Sequence, residues 1–140
     1  MKIMVSACLL GRNCKYNGGN NRNEAVLAFL EGHEVIPVCP EVAGGLSVPR
    51  SPCEIVNGVV MDQNGVNRNE AFRTGAERCL ALAREKGAEL AILQSRSPSC
   101  GVNEIYDGSF SGRKIPGSGV FAALLRENGV RVLDAKDLQT

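Results

Sequence analysis

Three short apolar runs, KIMVSA at 2–7, EVIPV at 34–38 and ELAIL at 89–93, are each separated from the next by a stretch that reads as helix and ends on glycine. Apolar runs of this length suit strands buried on both faces, as in a parallel sheet covered by helices. In the first gap Asn23 can cap a helix running to about Glu31, with Val26, Leu27 and Leu30 on its apolar face. Gly32 then sits where a left-handed C-terminal cap belongs. A long helix from about Asn69 to Lys86 carries Phe72, Ala76, Cys79, Leu80 and Ala83 on one face and ends at Gly87. A third helix, Gly119–Asn128, is expected to be capped by Ser118 and closed by Gly129, and Val130–Leu133 supplies a last strand.

Between the second strand and the long helix, IVNGVVM at 55–61 places Asn57-Gly58 between apolar pairs. That is a strong hairpin signal, because both turn positions need positive φ. Strands alternating with helices predict an α/β fold: a single Rossmann-like domain over residues 1–140, with a mainly parallel sheet, helices on both faces and a small hairpin insertion. One pentapeptide, NRNEA, occurs at 21–25 and again at 67–71. Each copy opens a helix, so two similar N-terminal caps account for it.

Charge is balanced, 16 Lys+Arg against 15 Asp+Glu, which gives no electrostatic reason to expect a nucleic-acid duplex as partner. The opening MKIMVSACLL is too short an apolar run for a signal peptide or for the ~20 residues that span a bilayer. The expectation is a cytoplasmic protein with no membrane partner, its oligomeric state open. In that compartment the six cysteines point to metal binding or chemistry rather than to disulfides.

Their positions sharpen this. Ligands of an open α/β sheet bind outside the carboxyl ends of its strands, where the loops converge. Cys8 follows the first predicted strand, Cys39 the second, and Cys100 lies in the loop after the third. Three separate strand ends thus deliver three thiols to one edge of the sheet. No Cys-x-x-Cys pair is present, so the usual zinc-finger spacing is missing. Thiolates gathered from distant loops suit an iron–sulfur cluster, and a cubane held by three cysteines leaves one iron open as a Lewis acid. Cys14, six residues after Cys8, competes for a ligand place, Cys53 has no assignment, and Cys79 reads as a core residue.

Four segments, VSACLLGRNCKYNGG, PVCPEVAGGLSVPR, SRSPSCG and GSGVFAALLRENGVRVL, resemble the signature segments of the DUF523 family, in the same order and over essentially the whole chain. The family includes thiouracil desulfurases. The resemblance implies a [4Fe-4S] cluster held by Cys8, Cys39 and Cys100, a catalytic carboxylate at Glu41 and a substrate-contacting serine at Ser97. The chain departs from the family pattern at Asn17, where an acid is usual, and at Gln94, where lysine is common. The implied activity is non-redox removal of sulfur from a thiolated nucleobase or similar small thioamide.

The chemistry of the residues agrees with this. Desulfuration needs a thiophile for the departing sulfur and a group to handle protons as water adds to carbon. Glu41, two residues from Cys39, can be that general acid or base. Arg12, Arg50 and Arg96 are available to neutralise charge. His33, at the end of a helix, reads as a partner of the helix dipole, and the PGSGV segment offers backbone amides as a candidate anion site. Two rival readings are a non-catalytic iron or zinc/redox sensor, and a metal-free enzyme with Cys8 or Cys100 as nucleophile.

Overall fold

The computed structural model describes residues 1–138. Its centre is a four-stranded parallel sheet in the order β2 (Glu34–Val38), β1 (Lys2–Ser6), β5 (Leu90–Leu93), β8 (Arg131–Asp134). Both neighbours of β1 run parallel to it, with Ile3 opposite Val35 on one side and Leu90 on the other. The three predicted strands with cysteines after them are therefore adjacent. The chain leaves β1 toward β2 and later returns to β5 on the opposite side, which makes the β1/β5 boundary the switch point where such sheets bind ligands.

Alternation along the strands assigns the faces. Met4, Ala91 and Leu93 face α3 (Asn69–Lys86) and α4 (Val120–Glu127), packing on Ala76, Leu80, Phe121 and Leu125. Ile3, Val5, Leu90 and Ile92 face the other way, toward Val26 and Leu30 of α1 (Glu24–Leu30). Helices thus cover both faces, as the apolar runs predict. Phe121, Leu125, Ile3 and Ile92 are fully buried, and burying a side chain of this size contributes about 1.5–3 kcal/mol.

Several local readings hold in detail. Asn23 caps α1, its side chain accepting from the Val26 N–H at 3.1 Å, and Gly87 ends α3 in the left-handed region at φ 71°. Asn57 and Gly58, at φ 50° and 80°, turn the antiparallel hairpin of β3 (Cys53–Val56) and β4 (Val59–Asp62).

Others are corrected. The second NRNEA does not repeat the first: Asn69 lies inside α3, and its side chain accepts from the Val60 N–H, tying the helix to the hairpin. Ser118 is not the cap of α4. Gly119 holds that place without a side-chain bond, while the Ser118 hydroxyl donates to the Val102 carbonyl. Nor is the start of α4 an anion site, because the N–H groups of Gly119, Val120, Phe121 and Ala122 all donate to carbonyls of residues 98–101. His33 stacks on Phe29, with ring centroids 6.0 Å apart, and its Nδ1 has no partner.

A single helical turn α2 (Pro40–Ala43) and the antiparallel pair β6 (Glu104–Tyr106) and β7 (Lys114–Pro116) fall outside the strands and helices expected from the sequence. α2 packs hard on α3. A Cβ on Gly75 would lie 1.8 Å from the Pro40 carbonyl oxygen, and one on Gly44 would lie 2.0 Å from that of Ala71. Among the described residues, no helix is long and apolar enough to cross a membrane.

Candidate functional site

The carboxyl ends of β1, β2 and β5 open on one cavity of about 540 Å³. Cys8 reaches it from the 3₁₀ turn that follows β1, Cys39 from the N-cap of α2, and Cys100 from the loop after β5. The three thiols singled out by their strand-end positions do share a wall. Two more join them, Cys14 and Cys53, whereas Cys79 is buried on α3 against the sheet. All six cysteines are free thiols.

Burial controls the protonation of most of this group. It pushes Cys100 up to about 12, against opposing hydrogen bonds from Ser6 and Ser99, and pushes Cys53 up to about 11. Cys39 is raised by acting as donor toward the Cys14 thiol, and further by burial. Cys8 differs. Cys14 acts as donor toward it and holds it below the ordinary thiol value, while burial opposes that shift. The Asn21 side chain adds a weaker donor, Nδ2 to Sγ at 3.8 Å.

Glu41, in the single turn α2, brings a carboxylate to the same cavity. Arg50 Nε donates to its Oε1 at 3.0 Å, with the two side chains only 8% and 15% exposed, so this is a buried charge pair. Arg50 also donates to the carbonyls of Ser47 and Cys14 at 3.0 and 2.9 Å, and so ties the Cys14 loop to Glu41. The other oxygen, Oε2, accepts from Ser99 Oγ at 2.9 Å and lies 3.5 Å from Ser97 Oγ.

The loop carrying those serines is clamped from below. Gly101 N–H donates to the Ser97 carbonyl, and the start of α4 takes up the carbonyls of Pro98, Ser99 and Gly101. A Cβ on Gly119 would lie 2.5 Å from the Ser99 carbonyl carbon, so only glycine admits this approach. At the switch point, Ser6 Oγ accepts from the Gln94 N–H at 3.0 Å. Ser95 Oγ donates to Asp134, a fully buried carboxylate at the end of β8.

Of the residues singled out from sequence, Cys8, Cys39, Cys100, Glu41, Ser97, Arg50 and Arg96 line the cavity, and Arg12 does not. Gln94 is on the wall, whereas the Asn17 side chain only accepts from the Gly19 N–H in its own exposed turn. Ser99, Ser6 and Asp134 escape sequence reasoning. Ser99 stands within SPSCG and is the direct partner of Glu41, but nothing in its spacing separates it from Ser97.

The 2-thiouracil desulfurase family model matches residues 3–137. The uncharacterized protein YbbK of Bacillus subtilis (strain 168) is 40% identical over an alignment of 146 residues, covering 97% of each chain. Among solved structures, the [4Fe-4S]-dependent thiouracil desulfidase TudS (DUF523Vcz) is 40% identical, with a TM-score of 0.91 over 98% of this chain and 92% of that one. The resemblance carried by the four signature segments is thereby borne out. With its thiol-lined switch point and a family model spanning nearly all described residues, the chain belongs to the 2-thiouracil desulfurase family.

Proposed function

We propose that this protein is a [4Fe-4S]-dependent desulfurase acting on thiouracil or a similar thiolated nucleobase, as a single, cytoplasmic Rossmann-like domain. Cys8, Cys39 and Cys100 hold the cluster, and Glu41 and Ser97 act on the substrate. One observation carries the reading: thiols from three strand ends share a cavity with a carboxylate that is bonded to the residue just before Cys100.

The donor set suits the cluster. Thiolate sulfur is its ordinary ligand, and a buried thiol such as Cys100 gives up its proton when it binds metal. Among the described residues, no three His, Cys, Asp or Glu side chains converge closely enough to hold a single metal ion. The cysteines of a cluster each bond a different iron, which suits thiols delivered by three separate loops. When bound with three cysteines, the cluster supplies an iron open to a sulfur ligand, a thiophilic Lewis acid.

The overall reaction is a hydrolysis. Thiocarbonyl and water give carbonyl and hydrogen sulfide, with no electrons transferred. Glu41 Oε2 takes the proton of the water adding to carbon. Arg50 on Oε1 fixes the carboxylate's orientation, and the Ser97 hydroxyl donates to the bound heterocycle.

The test is anaerobic reconstitution with iron and sulfide, followed by a sulfide-release screen over thiouracils and thiolated nucleosides. About four irons per chain and sulfide release are expected, with Cys8→Ala, Cys39→Ala or Cys100→Ala each preventing assembly and Cys79→Ala sparing it. A colourless protein that binds zinc, or a cluster that survives loss of one of the three cysteines, contradicts the reading.

A further inference from the structure

The chain has only four Phe and two Tyr, and their placement is uneven. Phe72 and Phe121 are fully buried, and Phe29 stacks on His33. The remaining three, Tyr16, Tyr106 and Phe110, all line the cavity that Cys8, Cys39 and Cys100 share. Every ring not used in the core or against His33 is therefore at this site.

Phe110 is the least expected of them. Its backbone lies at φ 57°, a left-handed conformation that is a genuine outlier for a bulky residue. Glu54 holds it there, Oε1 accepting the N–H groups of Gly108 at 3.0 Å and Phe110 at 3.1 Å. Gly108 approaches β3 so closely that a Cβ would lie 2.7 Å from the Ile55 carbonyl oxygen. The β3–β4 hairpin thus pins the tip of the β6–β7 hairpin at the cavity wall, with Phe110 as a residue 37% exposed. A ring kept out of the core on a strained backbone exposes apolar surface at a local energetic cost, and a planar ligand would cover that surface.

We propose that Phe110, with Tyr16 and Tyr106, forms a stacking subsite for the ring of the substrate, so that the site selects planar thiolated heterocycles over open-chain thioamides. This rests on the desulfurase reading of the same cavity. An aromatic face accepts any nucleobase ring, whereas an open-chain thioamide offers the C=S group but no ring to stack. Glu54, with its Oε1 committed to the hairpin, is a positioning residue.

The experiment compares wild type, Phe110→Asn, Phe110→Leu and Phe110→Tyr, each cluster-loaded and handled anaerobically. Asparagine tolerates the left-handed φ, so Phe110→Asn removes the ring without adding strain. Calorimetry with uracil reads ring binding without turnover, and sulfide release is followed from 2-thiouracil and from thioacetamide. In Phe110→Asn and Phe110→Leu, the uracil Kd and the 2-thiouracil KM should each rise roughly tenfold, with kcat within about twofold. Thioacetamide kcat/KM should change far less, and Phe110→Tyr should restore ring binding. Unchanged Kd and KM, or equal losses on 2-thiouracil and thioacetamide, would overturn the subsite. If wild type binds uracil through Phe110 yet releases no sulfide, the desulfurase reading fails and the subsite stands. If sulfide release proceeds and the variants match wild type, the subsite alone fails.

Discussion

The Ser97 and Ser99 hydroxyls lie 2.9 Å apart, and their surroundings set the direction of the bond between them. Ser97 Oγ accepts the backbone N–H groups of Ser99 and Cys100, both at 3.1 Å, which occupies its two lone pairs. Ser97 must therefore donate, and Ser99 passes a second bond on to Glu41 Oε2. A substrate acceptor entering the cavity can take the Ser97 proton without breaking the loop. Ser97→Ala should leave two amides without their acceptor and destabilise the protein by about 1–3 kcal/mol. Ser97→Thr keeps the hydroxyl and should recover most of that loss. Urea denaturation of both variants checks this, and a Ser97→Ala protein as stable as wild type would show that the loop does not depend on the hydroxyl.

A second expectation concerns thiol reactivity before any metal is bound. Cys14 acts as donor toward Cys8 and holds it below the ordinary thiol value, while burial raises Cys100 to about 12. Thiolate is the reactive form. In metal-free protein near pH 8, iodoacetamide should label Cys8 well before Cys100, and Cys14→Ala should slow the Cys8 reaction several-fold by removing the donor. Mass-spectrometric mapping over time reads both effects. Equal labelling of Cys8 in the presence and absence of Cys14 would contradict the donor role.

A third concerns acid. Asp62, at the end of β4, accepts from the N–H groups of Val66 and Asn64 and pairs with Arg68, and these bonds hold its carboxyl below 3.8. A depressed folded-state value contributes stability above the unfolded value, and that contribution is lost as pH falls through the folded value. Asp62→Asn should therefore be less stable than wild type at pH 5–7, with the gap closing below about pH 3.8. Denaturation midpoints of metal-free protein at several pH values test the sign. A gap that widens in acid would refute it.

How much of this was legible in the sequence depends on the range of the interaction. The sheet and its helices are written in apolar periodicity and in local caps such as Asn23 and Gly87, so they could be read directly. The convergence of Cys8, Cys39 and Cys100 followed from one topological rule, that loops after parallel strands meet at one edge. What stayed hidden are contacts between segments far apart in the chain. The Glu41–Ser99 bond spans 58 residues, and Glu54 reaches Gly108 across 54. The β6–β7 pair has three residues in each strand, too few to show a period. The second NRNEA shows the converse, since identical letters take different roles once β4 lies beside one of them.

The last expectation separates an enzyme from a sensor. A sensor needs its cluster, and Glu41 would then serve only to hold Arg50 and the Cys14 loop in place. A desulfurase needs a carboxylate that can take and return a proton, which glutamine cannot do. Glutamine keeps the shape, its oxygen still accepting from Arg50 while its NH2 donates to the Ser99 hydroxyl, so Glu41→Gln removes the proton acceptor with both contacts kept. General acid–base catalysis contributes roughly 10²–10⁴-fold, or about 3–5 kcal/mol of barrier. Glu41→Gln should retain full iron content and an unchanged cluster spectrum, yet lose at least about a hundredfold in single-turnover sulfide release. Iron is quantified in the same anaerobic sample, so loss of the cluster cannot pass for loss of chemistry. Wild-type rates at full occupancy would remove Glu41 from the reaction, and a variant that sheds iron would reassign it to supporting the Cys39 loop. Turnover lost with the cluster retained is the outcome that fits a carboxylate with Arg50 on one oxygen and the Ser99 hydroxyl on the other.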